Sequence, residues 1–195
     1  TYIHNVDLRW EWFFGETEIL AASIFYKYFD DPIEPVITDN NYNISFDNAD
    51  SAHNFGGEIE ARFSFGRFHR ALDFLSLGAN LTLVYSRIRL SDEGAELATN
   101  RERPMAGQSP FVANLSLGFS FPDIGVEAIL YYNVFGRRLQ EAGRRPGEGL
   151  VGLPDTYEEP FHSLDLMISW EIIEHLQLKF TARNLAYQEV VLEQG

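Results

Sequence analysis

The chain has 195 residues, 45% of them hydrophobic, and a formal net charge of -14. That is room for one large domain or part of a bigger one, and the acidity argues against nucleic acid as a partner. Without cysteine there is neither a disulfide framework nor a thiolate metal site. A membrane is not excluded, because charge can sit on loops and on an inner face.

No apolar run approaches the length of a spanning helix. No leader pattern precedes the first strand-like residues, Tyr2-Ile3-His4, so the chain is expected to be an internal or excised piece. Aromatic residues make up 14% of it.

Alternation with a period of two predicts eight strands, at about 3–14, 18–30, 52–66, 75–89, 110–121, 125–138, 161–172 and 175–188. The pattern is clearest in Gly57-Glu58-Ile59-Glu60-Ala61-Arg62-Phe63-Ser64-Phe65. Helical periodicity is confined to residues 67–74. Connections alternate in length. Those at 15–17, 122–125 and 172–175 are tight hairpins. Those at 31–51, 90–109 and 139–160 are long and rich in Asp, Asn, Gly, Pro and Arg. In an up-and-down sheet, alternate connections lie at opposite ends. One end is therefore trimmed and the other elaborate, as in outer-membrane barrels.

Each strand has one charge-free face. Examples are Val6, Leu8, Trp10 and Trp12 in the first, and Leu77, Ala79, Leu81 and Leu83 in the fourth; about forty such positions hold no Asp, Glu, Lys or Arg. The interleaved positions carry the charges Asp7, Arg9, Glu11, Lys27, Glu58, Glu60, Arg62, Glu127, Asp165 and Lys179. They also hold small polar residues such as Ser76, Asn80, Asn114 and Ser116. Such residues cannot fill a dry core without partners. They suit a hydrated lumen or a polar plug, and their mixed signs suggest a network rather than a selectivity ring.

Trp10, Trp12, Phe63, Phe65, Phe119, Phe121 and Trp170 lie close to the short turns, and Tyr26, Tyr28, Tyr85 and Tyr132 toward the long loops. Two aromatic belts around an aliphatic band mark a wall crossing a bilayer. A soluble β-sandwich would also have an apolar inner face, but it would explain neither the belts nor the loop asymmetry.

Candidate sites are few. Asp39, Asn41, Asn43, Ser45, Asp47 and Asp50 have calcium-loop spacing, but Ile44 stands where that loop needs Gly. Glu58 and Glu60 form a carboxylate pair, with Arg62 beside them as a ready partner. The five histidines show no ligand spacing. Residues 143–149 are glycine-rich but lack the Lys-Ser/Thr of a phosphate loop. No metal, cofactor or catalytic residue is expected. Arg87 and Arg89 face outward by parity, just beyond Tyr85. They are candidates for contact with lipopolysaccharide phosphates.

Several stretches carry a family resemblance. They are Tyr2 to Phe13 followed by Phe25 to Glu34, Asn48-Ala49-Asp50-Ser51-Ala52 with Gly57-Glu58-Ile59-Glu60, and Arg103 to Pro110, with Ala182 to Val191 at the end. In that order they resemble the late barrel of TonB-dependent outer-membrane receptors, over nearly the whole chain. The resemblance implies an all-β, antiparallel up-and-down transmembrane barrel of 22 strands around a plug domain. Such a receptor is a monomer that takes up siderophores, cobalamin or oligosaccharides with energy delivered through TonB. Residues 1–195 would be a C-terminal portion of that wall, about eight strands. They would lack the plug, the TonB-contacting segment and the final strand. Expected partners are outer-membrane lipid, lipopolysaccharide and the receptor's own plug, in the bacterial outer membrane. Ligand capture would fall to the long loops, through Arg101, Arg103, Arg137, Arg138, Arg144 and Arg145. The rival readings are a complete eight-stranded membrane barrel with a structural role and a soluble all-β binding module.

Overall fold

The computed structural model describes residues 1–37, 43–147 and 151–195. In chain order the elements are β1 (Tyr2–Phe13), β2 (Ile19–Asp30), β3 (Ile33–Ile37), β4 (Ile44–Asn48), β5 (Ser51–Ser64), β6 (Leu75–Arg89), α1 (Asp92–Leu97) and β7 (Glu102–Arg103). They continue with β8 (Phe111–Phe121), β9 (Val126–Phe135), β10 (Arg138–Glu141), β11 (Thr156–Glu158), β12 (Phe161–Ile173), β13 (Leu176–Ala182) and β14 (Leu192–Gln194). The long strands form one antiparallel sheet in the order β1-β2-β5-β6-β8-β9-β12-β13, with β7 joined to β6. The sheet does not close: β1 and β13 are its edges. It is a partial barrel wall, not a sealed eight-stranded barrel.

The short turns follow from local chemistry. Pro122–Ile124 forms a 3-10 turn that ends at Gly125 with φ 66°. That conformation suits glycine, and a Cβ here would also run into the Glu171 carbonyl. The indole N–H of Trp170 donates to the Ile124 carbonyl at 3.1 Å, which pins this turn to β12. Two further 3-10 turns, Phe65–Arg67 and Arg70–Leu72, link β5 to β6 where the sequence shows helical periodicity.

Two strand limits differ from the alternation pattern. The strand expected over 125–138 breaks after Phe135, and Arg138–Glu141 joins a separate sheet of β10, β11 and β14. The Ser109 hydroxyl lies 2.6 and 3.0 Å from the carbonyls of Phe111 and Gly136, which holds the break. The strand expected over 175–188 ends at Ala182. There Asn184 takes a positive φ of 51° and trades hydrogen bonds with the Gln188 backbone, both at 3.0 Å. A short polar side chain that imitates backbone stops the ladder. The long connections also hold structure that alternation does not reveal: the β3–β4 hairpin, α1, β7, and β10 and β11, which form a three-stranded sheet with β14.

The only cluster of buried apolar residues among those described lies at the long-loop end. Ala49, Ala52, Ile88, Leu90 and Ala98 pack there with Phe29, Ala95 and Met105. Among the described residues the wall has no second layer. Trp10 and Leu81 are 55% and 40% exposed, with no sheet or helix over them.

Candidate functional site

The site is the wall, with its two faces and its loop layer. Strand register fixes the faces, since partners directly opposite share one side of the sheet. Trp10, Ala22, Ile59, Leu81, Ala113 and Val134 form one continuous row across six strands. The parallel row Leu20, Ala61, Ala79, Leu115, Tyr132 and Leu164 lies on the same side. All the charge-free strand faces therefore meet on one surface of the sheet. Rings crowd both of its ends. Near the short turns, Phe63, Phe65 and Phe68 sit with centroids 5.2 to 6.4 Å apart, and Phe74 stacks on Phe121 at 5.4 Å. Toward the long loops, the hydroxyls of Tyr26 and Tyr132 contact Nδ1 of His53 and His162 at 2.7 and 2.6 Å. From the Trp12 row to the His4 row is about 27 Å along the strand. Allowing for strand tilt, that is on the order of the apolar height of an outer-membrane barrel.

The opposite surface holds the ten charged residues interleaved with the charge-free faces, whereas Asp30, Arg87 and Arg89 at the loop ends of β2 and β6 lie on the charge-free side. Arg9 binds Glu11 at 2.6 Å and Glu60 at 2.7 Å, and Arg62 closes on Glu60 at 3.2 Å. Glu58 accepts from the Asn80 amide, and Asn133 donates to Asn114 at 2.6 Å in the same ladder. Glu58 and Glu60 are thus each held by neighbours. Asp7 accepts from Asn5, and Lys27 lies 5.9 Å from the Phe25 ring. Glu127 and Lys179 flank Ser169 in one row. Asp165 receives the Ser163 hydroxyl and the Asn184 N–H, both at 2.8 Å, and so orders the chain just past β13.

The six loop arginines are engaged within the protein. Arg103 is buried and bound to buried Glu34 at 3.0 Å. Arg144 is buried too, its Nε donating to the Val151 carbonyl at 3.1 Å. The sequence places both at the ligand-facing surface; the structure instead makes Arg103 an internal tie between two loops and Arg144 one within the 139–160 connection. Arg101 pairs with Asp92, and Arg145 donates to the Thr99 carbonyl at 3.2 Å. Arg138 binds Glu158 at 2.8 Å. Arg137 binds Glu159 at 2.5 Å and Glu193 at 2.9 Å, and the Glu159 carboxylate raises its guanidinium above the ordinary arginine value. Arg87 and Arg89 share a single carboxylate, that of Glu102.

The acidic partners were missed at the sequence level, as was Asp155, which takes the Thr99 hydroxyl at 2.6 Å and the Gly143 N–H at 2.8 Å. The excess of Asp and Glu was the available signal: with 29 acidic and 15 basic residues, carboxylates outnumber cations, and Arg101, Arg103, Arg137 and Arg138 each take one. Among the described residues no group of His, Asp or Glu is arranged to hold a metal. Of the calcium-like spacing, Asp39 and Asn41 lie outside the described residues, while Ser45 and Asp47 are on β4. Glu148 and Gly149 of the glycine-rich stretch also lie outside them.

A single open antiparallel sheet with an uncovered apolar surface, ring belts at both of its ends and a polar opposite surface is part of the wall of a transmembrane β-barrel. The chain belongs to the TonB-dependent receptor-like β-barrel family, whose model matches residues 1–185. The family is one of outer-membrane transport receptors rather than enzymes. In fold the chain is similar to the FrpB iron transporter of Neisseria meningitidis (F3-3 variant), with a TM-score of 0.62, 15% identity, and coverage of 94% of this chain and 25% of that one. It is also similar to the F5-1 variant apoprotein, with a TM-score of 0.61, 15% identity and coverage of 94% and 26%. A mutant of the ferric enterobactin receptor PfeA of Pseudomonas aeruginosa gives a TM-score of 0.60, 14% identity and coverage of 94% and 25%. The chain thus spans about a quarter of the length of these structures. A comparison with curated proteins found no match.

Proposed function

We propose that residues 1–195 are a C-terminal portion of the barrel of an outer-membrane receptor that imports large, scarce nutrients with TonB-derived energy. The observation that carries this reading is the continuous charge-free surface of an open antiparallel sheet, backed by a polar one. On this reading the outer surface meets lipid. The ten charged strand residues and the amide ladder line the lumen against the receptor's plug domain, and the loop layer helps to form the mouth. TonB is engaged by the plug-bearing part of the receptor, which acts as a monomer. The cargo is of the siderophore, cobalamin or oligosaccharide type. Ferric siderophores are the class to test first, since one structure of similar fold is a ferric enterobactin receptor.

The test uses the gene that encodes this segment, intact and deleted, in cells with and without TonB. Uptake of labelled ferric siderophores, cobalamin and oligosaccharides is measured. Loss of uptake of one cargo in both deletions is the expected result. Recovery of the protein in the soluble fraction, with uptake of every cargo unchanged, would overturn the reading.

A further inference from the structure

On the surface turned to the lumen, charge is unevenly placed. β1, β2 and β5 carry seven of the ten charged residues there, β9, β12 and β13 carry one each, and β6 and β8 carry none. Register puts Glu60, Asn80, Asn114 and Asn133 in one row across β5, β6, β8 and β9. The next row toward the short turns is Arg62, Gly78, Ser116 and Tyr131. A cleft of about 500 Å³ lies over these two rows. Gly78 makes its floor, where a Cβ would stand 2.5 Å from the Ser116 hydroxyl oxygen. Arg62, tied to Glu60 at 3.2 Å, bounds the cleft on one side. The Tyr131 ring, 42% exposed, bounds it on the other.

The cleft is rich in donors. Asn133 donates to Asn114 at 2.6 Å, Asn114 to Asn80 at 3.5 Å, and Asn80 to Glu58. Each amide uses one N–H in this ladder and keeps a second, and the Tyr131 hydroxyl can donate as well. Between Arg62 and Tyr131 the row holds no ionised group. Charged hydrogen bonds are about twice as strong as neutral ones. Passage through a pore needs contacts firm enough to admit a solute and weak enough to release it. The charged sector therefore suits a fixed partner, and the amide sector suits a solute in transit.

We propose that cargo crosses the receptor along this sector, between the plug and β6, β8 and β9, its oxygen atoms exchanging among the spare amide N–H groups. The proposal rests on the import reading above. The cargo it fits carries hydroxyl, carbonyl or ether oxygens over its surface, because free donors on an uncharged wall match acceptors of that kind.

The test uses the full-length receptor in cells, with labelled ferric enterobactin, cobalamin and a linear oligosaccharide as probes. Outer-membrane level, probe binding at the cell surface and TonB-dependent uptake are measured for each variant. Ser116→Trp, which fills the cleft, is expected to slow uptake of the imported probe about tenfold with its surface binding unchanged. Ser23→Trp is the matched control: Ser23 lies between Arg9 and Glu58 in the charged sector, and this variant should import as the wild type does. Asn114→Asp keeps the side-chain shape but exchanges a donor for an anionic acceptor. It is expected to slow uptake several-fold, an effect that crowding cannot explain. Wild-type uptake in both cleft variants, or equal slowing by Ser23→Trp, overturns the proposal. So does loss of surface binding together with uptake in Ser116→Trp, which would mean that the plug fills this cleft. A receptor that imports one probe through TonB, and whose cleft variants do so equally fast, loses this proposal alone. A wild-type receptor that imports none of the three loses the import reading as well.

Discussion

Glu34 and Arg103 are 5% and 4% exposed at the side chain and bound to each other, the most deeply buried ion pair of the loop layer. Two charges out of water are tolerable only while each satisfies the other. Glu34→Ala would strand the guanidinium, at a cost of about 3–5 kcal/mol. In the full-length receptor the expected readout is faster protease cleavage within 31–50 and 90–109, with the double change Glu34→Met/Arg103→Met milder than the single one. Leu81 and Thr82 are neighbours in sequence but face opposite ways, Leu81 with Ile59 and Thr82 with Glu58. Leu81→Arg should cost about 2–4 kcal/mol in urea unfolding from lipid vesicles, the range for a cation on the lipid face near the bilayer midplane. Thr82→Arg, beside the Glu58 carboxylate, should cost less than about 1 kcal/mol.

The hairpins and long strands were readable because their causes are local. Pro122 opens a turn and Gly125 closes it at φ 66°. Gly125→Ala should cost about 1–2 kcal/mol from backbone conformation alone, more once the Cβ meets the Glu171 carbonyl. It should lower the urea midpoint of the refolded receptor, whereas Ser169→Ala in the adjacent strand should leave it nearly unchanged. The loop layer was not readable in this way. α1 spans only six residues, and β10 pairs with β11 through residues 15 to 20 apart in sequence. Nothing in the local pattern around Leu139 says that it will be almost completely buried. The end of β13 depended on Asn184, whose left-handed backbone and bond to Asp165 come from a strand partner nineteen residues away.

As an assembly the wall has little core of its own. Large hydrophobics such as Trp12, Leu8, Leu83 and Phe180 remain exposed, and each is worth about 1.5–3 kcal/mol once removed from water. Lipid on one side and protein in the lumen would supply that burial. The edges β1 and β13 also carry unpaired backbone groups, a template for unwanted strand pairing. Residues 1–195 expressed alone should therefore aggregate without detergent. Light scattering that shows a stable monomer in plain buffer would contradict this.

Alternation placed forty uncharged positions and ten charged ones on opposite strand faces, because side-chain direction in a strand depends only on counting by two. That was enough to specify a wall with one charge-free and one charged surface. What counting could not reach was which charges find each other. The Arg103–Glu34 tie and the sharing of Glu102 by Arg87 and Arg89 join residues brought together only once the chain has crossed the sheet and returned. An ion pair needs a few ångströms of proximity, and proximity between distant loops is a property of the folded chain.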